Sequence, residues 1–297
     1  MSLSLIWDAW RAEAFRLFRN RMLLFWSVLF VPIFGLILST GGNLFMSANR
    51  DRLSQGAGDR PLPPEVAAAL SEAPIKLGEA LVKMAAEAGN PAVLLFVLIG
   101  AATLYAGDYR WETWRLISAR NARANLLLGK VGVLKTLALL AMAAFLIAGV
   151  IETGLKAAIY DRGIEWVVSG AEAGRFLAFA LLSLIGILQF TAVGLLTAVA
   201  SRSLLATLFV PLVVAVGQFF ALQVLRPLGV GPDDWAHLLV NPGAGFSALQ
   251  ALITGGTAAQ MLEDGLVLKG VVSIALWTLG PIAAALALFQ RQDLSKE

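Results

Sequence analysis

Apolar positions dominate six long stretches of the chain, at about residues 22–40, 91–107, 131–152, 175–199, 204–226 and 266–289, with charge confined largely to the segments between them. A spanning helix needs roughly 20 mostly apolar residues, so each stretch predicts one transmembrane helix. Pro32 and Pro211 fall inside spans, which a membrane helix tolerates when neighbours satisfy the freed backbone groups. Ahead of the first span, residues 3–18 place Leu3, Ile6, Trp7, Trp10, Ala14, Leu17 and Phe18 on one helical face, with Asp8, Arg11, Arg16 and Arg19 opposite. That pattern predicts an amphipathic helix lying in the membrane interface. The run after it is too long for a signal-peptide core and lacks a small-residue cleavage site.

Two segments between spans carry patterns of their own. Residues 64–88 are rich in alanine and glutamate and predict helix, broken or kinked at Pro74. The segment 227–265 contains NPGAGFSALQALITGG, moderately apolar but shorter than a span, which predicts a re-entrant or surface hairpin.

Composition fixes the class. The chain is 58% hydrophobic and 14% charged, with mean hydropathy +0.77, whereas soluble domains carry about 25% charged residues. It therefore reads as an all-α integral membrane protein. The net charge of +3 has a simpler source than nucleic acid, because cytoplasmic loops carry excess Lys and Arg. With the N-terminus inside, segments 1–21, 108–130, 200–203 and 290–297 hold 12 of the 23 basic residues but 6 of the 20 acids. The expected topology is six spans with both termini cytoplasmic.

Much chemistry is excluded. There is no cysteine and one histidine, His237, so thiol catalysis and multi-histidine metal sites fall away; His237 reads as a surface or interface residue. The only Gly-Lys pair, Gly129-Lys130, has Ala124 and Val131 where a phosphate-binding loop needs Gly and Ser or Thr, so the chain does not hydrolyse ATP itself. No nucleophile elbow, zinc-protease motif or pair of membrane-embedded carboxylates is apparent, and no enzyme reading has support. Few polar residues lie within spans. Gln189 near mid-membrane and Gln218 in the outer half either line a substrate path or bond between helices. No Asp, Glu or His sits at mid-membrane to couple an ion gradient, so energy for transport has to come from elsewhere.

The densest aromatic and basic cluster is GDYRWETWRLISARNAR, residues 107–123. Trp111 and Trp114 are three apart and share a face if helical. A membrane-boundary aromatic belt accounts for one ring and a few cations. It accounts less well for rings interleaved with Asp108, Arg110, Glu112, Thr113 and Arg115, a mixture of the residue types enriched at protein interfaces.

This segment, continued as ANLLLGK, resembles the link between the second and third spans of type-2 (ABC-2) ABC transporter permeases. There an acidic or aromatic turn leads to a Gly/Thr-Trp-Arg-Leu-like run, a basic turn and a Gly-Lys opening the third span. RLFRNR at the end of the amphipathic helix resembles the family's elbow helix, and ALALFQRQDLS resembles its C-terminal Phe-x-Arg-x-Asp-Leu. A departure is the segment of about 50 residues between spans one and two, longer than in minimal members. The resemblance implies an elbow helix over 1–21 and a six-helix transmembrane domain over 22–297. Within that domain it implies an outer insertion at 45–90, a coupling helix in 108–124 and a re-entrant hairpin in 227–265. It implies that Tyr109, Arg110, Trp111, Glu112, Trp114, Arg115 and Arg120 dock onto a separate ATPase subunit, with support from Trp7, Trp10 and Arg11. ATP and magnesium would belong to that partner and no cofactor to this chain. A second permease half, the same or a related chain, would complete the transporter in a bacterial inner membrane, and no nucleic-acid partner is implied. The alternative is a membrane-embedded scaffold whose loop recruits a partner without transport.

Overall fold

The computed structural model of the chain describes residues 3–50, 52, 73–110, 113–114 and 121–292. Helix α1 (Leu3–Arg19) is followed by α2 (Arg21–Ala48), which runs through a π-helical turn at Phe25–Leu29. A short strand β1 (Ile75–Lys76) leads into α3 (Leu77–Glu87), then α4 (Pro91–Arg110) and α5 (Arg123–Ile159). Strand β2 (Ile164–Glu165) precedes α6 (Gly170–Ser201) and α7 (Leu204–Leu225). Three short helices, α8 (Trp235–Val240), α9 (Pro242–Thr254) and α10 (Gly256–Gln260), come before α11 (Leu266–Arg291). Six of these helices, α2, α4, α5, α6, α7 and α11, are long and apolar enough to cross a membrane. This is an all-helical, multi-pass architecture, and the six spans coincide with the six apolar stretches of the sequence.

Local chemistry sets the helix ends. Asn90 accepts from the backbone N–H groups of Ala92 and Val93, capping α4 just ahead of Pro91. Ser169 and Glu172 form a reciprocal capping box at the start of α6. Arg202, in the left-handed region at φ 56°, ends that helix, and the Ser203 hydroxyl caps α7. Of the helix expected over 64–88, the part after Pro74 is present from Leu77 to Glu87, and residues 64–72 lie outside the described residues.

Helix α4 is the hub: 61% of its apolar window is buried, against at most 39% in any other span. Small residues make this possible. At Gly100 an added Cβ would sit 2.6 Å from Leu137 and 2.7 Å from Ser27, so α2, α4 and α5 meet at near-backbone distance. Lipid tails are as apolar as leucine, so packing rather than hydrophobic burial holds such helices together.

The helices have two distinct ends. At one, α1 and the C-terminal end of α11 gather with the basic residues; this is the basic end. At the other, β1 pairs in parallel with β2 (Ile75 with Ile164, Lys76 with Glu165), and α8–α10 lie between α7 and α11. Helix α5, with 37 residues, is about 55 Å long at 1.5 Å per residue. A hydrocarbon core is about 30 Å thick, so α5 extends well beyond any bilayer it crosses. Helix α9 packs on α11 so closely that a Cβ on Gly245 would lie 2.8 Å from the Cα of Gly270.

Candidate functional site

Four charged side chains from three elements converge at the basic end. The Lys130 ammonium on α5 lies 2.5 Å from Asp108 Oδ2 on α4 and 3.0 Å from Glu13 Oε1 on α1. It also donates to the Leu104 carbonyl at 2.7 Å. An ammonium has three N–H donors, and these three partners occupy them all. Arg16, one turn after Glu13, completes the ring: its Nη2 is 2.9 Å from Asp108 Oδ1 and its Nη1 is 3.1 Å from Glu13 Oε1. Thr113 adds a hydroxyl bond to Asp108 Oδ1 and a backbone bond to its carbonyl. Asp108 is 0% and Lys130 1% exposed, whereas Arg16 is half-exposed at the rim. Burial works against the Arg16 charge, but the bond to Asp108 and the field of Glu13 overcome it and raise its pKa above the usual value. The cluster holds two acids and two bases, so its formal charge cancels.

Sequence reading found no pair of membrane-embedded carboxylates and did not foresee this pair at the basic end, where Asp108 and Glu13 share one buried ammonium. The missed signal was Glu13 itself. It sits among Ala9, Ala14 and Leu17 on the buried side of α1, and a buried carboxylate needs a buried partner. The partner helix comes close because Gly129 has no side chain: a Cβ there would lie 2.7 Å from that of Ala9.

Aromatic rings close over the cluster. The Trp114 ring centre lies 5.2 Å from Lys130 Nζ and packs on Tyr109 and Phe289 at centroid distances of 5.6 and 4.5 Å. Tyr109 donates its hydroxyl to Gln292 at 3.0 Å, and Gln292 in turn donates to the Val199 carbonyl. Arg123 bonds the carbonyls of Phe289 and Gln292, and Asn121 bonds that of Leu5. The described base of the 108–124 loop is therefore tied to α1, α5, α6 and α11 together.

This changes the standing of two candidate docking residues. Trp114 is 1% and Tyr109 8% exposed; both rings face inward and hold the loop down. Trp111, Glu112, Arg115, Arg120 and the Arg110 side chain lie outside the described residues. Trp7 and Trp10 on α1 stack with ring centres 4.6 Å apart. Trp10 covers Gly132, and Trp7 and Arg11 are exposed. The expected single apolar face of α1 is in fact two: Ala14 and Leu17 turn to the protein, whereas Leu3, Trp7, Phe15 and Phe18 turn away from it.

At the opposite end, α6, α7, α8–α9 and the start of α11 surround a cavity of about 770 Å³. Gln218 lines it, 6% exposed, with its amide Nε2 lacking any partner among the described residues. Gln189 is 1% exposed and both its amide atoms are unpaired among the described residues, but it does not line this cavity. His237, expected at a surface or an interface, is buried between helices. Its Nδ1 lies 2.8 Å from the Pro232 carbonyl and so carries the proton, leaving Nε2 to accept from Asn241 at 3.3 Å. The described residues contain no group of three or more His, Cys, Asp or Glu able to hold a metal ion.

Compared with protein-family models and with curated proteins, the chain gives no match in either. What fold and composition define is a multi-pass membrane protein with six apolar helices.

Proposed function

We propose that this chain is the membrane-spanning permease subunit of an ATP-driven transporter of the ABC-2 type, exporting an amphipathic, lipid-like or peptide substrate. In this reading α1 is the elbow helix, both termini are cytoplasmic and α8–α10 form an outer re-entrant hairpin. The segment 108–124 is the coupling element that docks on a separate ATPase subunit, which supplies the ATP and magnesium site. The resemblance of that segment to the family supports the assignment, together with the six spans.

The observation that carries it is the charge cluster at the base of the loop. A partner that moves a loop moves spans only if the loop is fixed to them. Glu13, Asp108 and Lys130, buried and capped by Trp114, with Arg16 at the half-exposed rim, join the loop to α1, α4 and α5. A displacement at the loop would then pass to those helices as a rigid-body shift. The docking surface itself falls to Arg110, Trp111, Glu112, Arg115 and Arg120, with Tyr109 and Trp114 as its foundation.

Mild-detergent co-purification with mass spectrometry and an ATPase assay tests the proposal. An ATPase subunit should accompany the wild-type chain and be lost from the Trp111→Ala/Arg115→Ala variant while membrane insertion is kept. A clean preparation without an ATPase would leave the six-span fold standing and favour a scaffold.

A further inference from the structure

Three features of the cavity at the end opposite the charge cluster bear on what it could hold. The first is its wall, which is apolar and aromatic: Phe190 on α6, Phe219 and Leu222 on α7, and Leu262 before α11. The second is its mouth, where Asp233 and Glu263 come from separate loops and both line the cavity, near enough for their carboxyls to interact. That contact, and the repulsion between the two charges, raises the Glu263 pKa above its ordinary value; Asp234 adds to the effect and Lys269 opposes it. Lys269 spends a donor on the Asp233 backbone carbonyl at 2.9 Å. The acids at the mouth therefore outnumber the cations. The third feature is Gln218, which lines the cavity and whose buried Nε2 has no partner among the described residues. A buried amide normally finds a partner, so this donor is available to a ligand acceptor that reaches it.

We propose that this cavity is a binding site for an amphipathic organic cation: its amine or ammonium head lies between Asp233 and Glu263, its apolar body lies along Phe190, Phe219 and Leu222, and an acceptor along that body meets Gln218. An apolar pocket with a few convergent polar groups is the usual form of a small-molecule site, and an aromatic wall attracts a cation further. A metal ion is the poorer occupant, because the described residues offer no third metal-binding side chain here and the wall is apolar. The inference names a substrate class for the transporter proposed above, but binding itself needs no ATPase, so either reading can fail while the other stands.

The test uses the full chain in phosphatidylcholine nanodiscs and rhodamine 6G, a cationic amphiphile with an ester acceptor, read by fluorescence polarisation. Fluorescein serves as an anion of similar size, calcium alone as a metal probe and empty nanodiscs as the partition control. Saturable rhodamine binding should weaken at least about tenfold in the Asp233→Asn/Glu263→Gln variant and more modestly in Gln218→Leu. It should also weaken as pH falls and protons compete for the acid pair. Equal affinity in the acid-free variant, equal binding of fluorescein, or calcium binding without dye binding overturns the proposal. Should the acid-free variant not fold, the wild-type pH profile decides, and a flat profile also overturns it.

Discussion

The two ends of this molecule arrange their charged groups differently, although each leaves a buried donor unpaired among the described residues, Trp114 Nε1 at one and Gln218 Nε2 at the other. At the basic end every donor of Lys130 has a partner, and Asp108 accepts from Lys130, Arg16 and Thr113. At the opposite end the buried Gln218 Nε2 has no partner among the described residues, and the Asp233 and Glu263 carboxyls repel each other with Lys269 partly offsetting them. A network with every member satisfied fixes one geometry, whereas a polar group left without a partner stores free energy that a ligand can release. The first arrangement suits a joint that transmits motion, and the second suits a site that accepts something.

The contrast can be broken most severely at Lys130. Lys130→Met leaves Asp108 and Glu13 buried with only Arg16 between them, and removing one partner of a buried pair costs about 3–5 kcal/mol. SDS-induced unfolding of the purified chain should register that loss. Gly245→Val tests the other end, since its side chain meets the Gly270 backbone at 2.8 Å. Overpacking of this kind costs about 1–3 kcal/mol, and the same titration should show it without any change at the basic end. Tyr109→Phe removes one hydrogen bond, to Gln292, and should cost about 1 kcal/mol while leaving the Trp114 packing in place.

The smallest expected effect is pH-dependent. Glu263 has a folded pKa raised above its ordinary 4.5, so between those two values the folded protein holds more protons than the unfolded chain. Its contribution to stability therefore falls as pH rises through that window, and the pair is repulsive above it. Glu263→Gln should raise the neutral-pH melting temperature slightly and change nothing at the acid end. A fall in melting temperature at neutral pH would mean that the Glu263 charge stabilises the mouth.

The six spans were legible because bilayer crossing leaves a one-dimensional signature that needs no knowledge of neighbours. The hub role of α4 was not, since a lipid-facing and a protein-facing residue are equally apolar; only small residues such as Gly100 hint at close approach. The same ambiguity hid the two faces of α1. The charge cluster was missed because Glu13, Asp108 and Lys130 come from distant parts of the chain, and Asp108 and Lys130 read as ordinary loop charges beside apolar runs. Trp114 was legible as an anchor but not in direction: the resemblance aims it at a partner, and the fold aims it at Lys130 and Phe289. For Gln218 both readings stayed open in sequence; the structure places it at the cavity wall with its Nε2 unpaired among the described residues.

The most direct test of the joint at the basic end is a double-mutant cycle on Asp108→Asn and Lys130→Met, read by SDS-induced unfolding. A closed, mutually satisfied cluster predicts strong coupling: the double variant should lose at least about 2 kcal/mol less than the sum of the singles. Simple additivity would mean that the two charges act independently and that the loop is not held by their pairing.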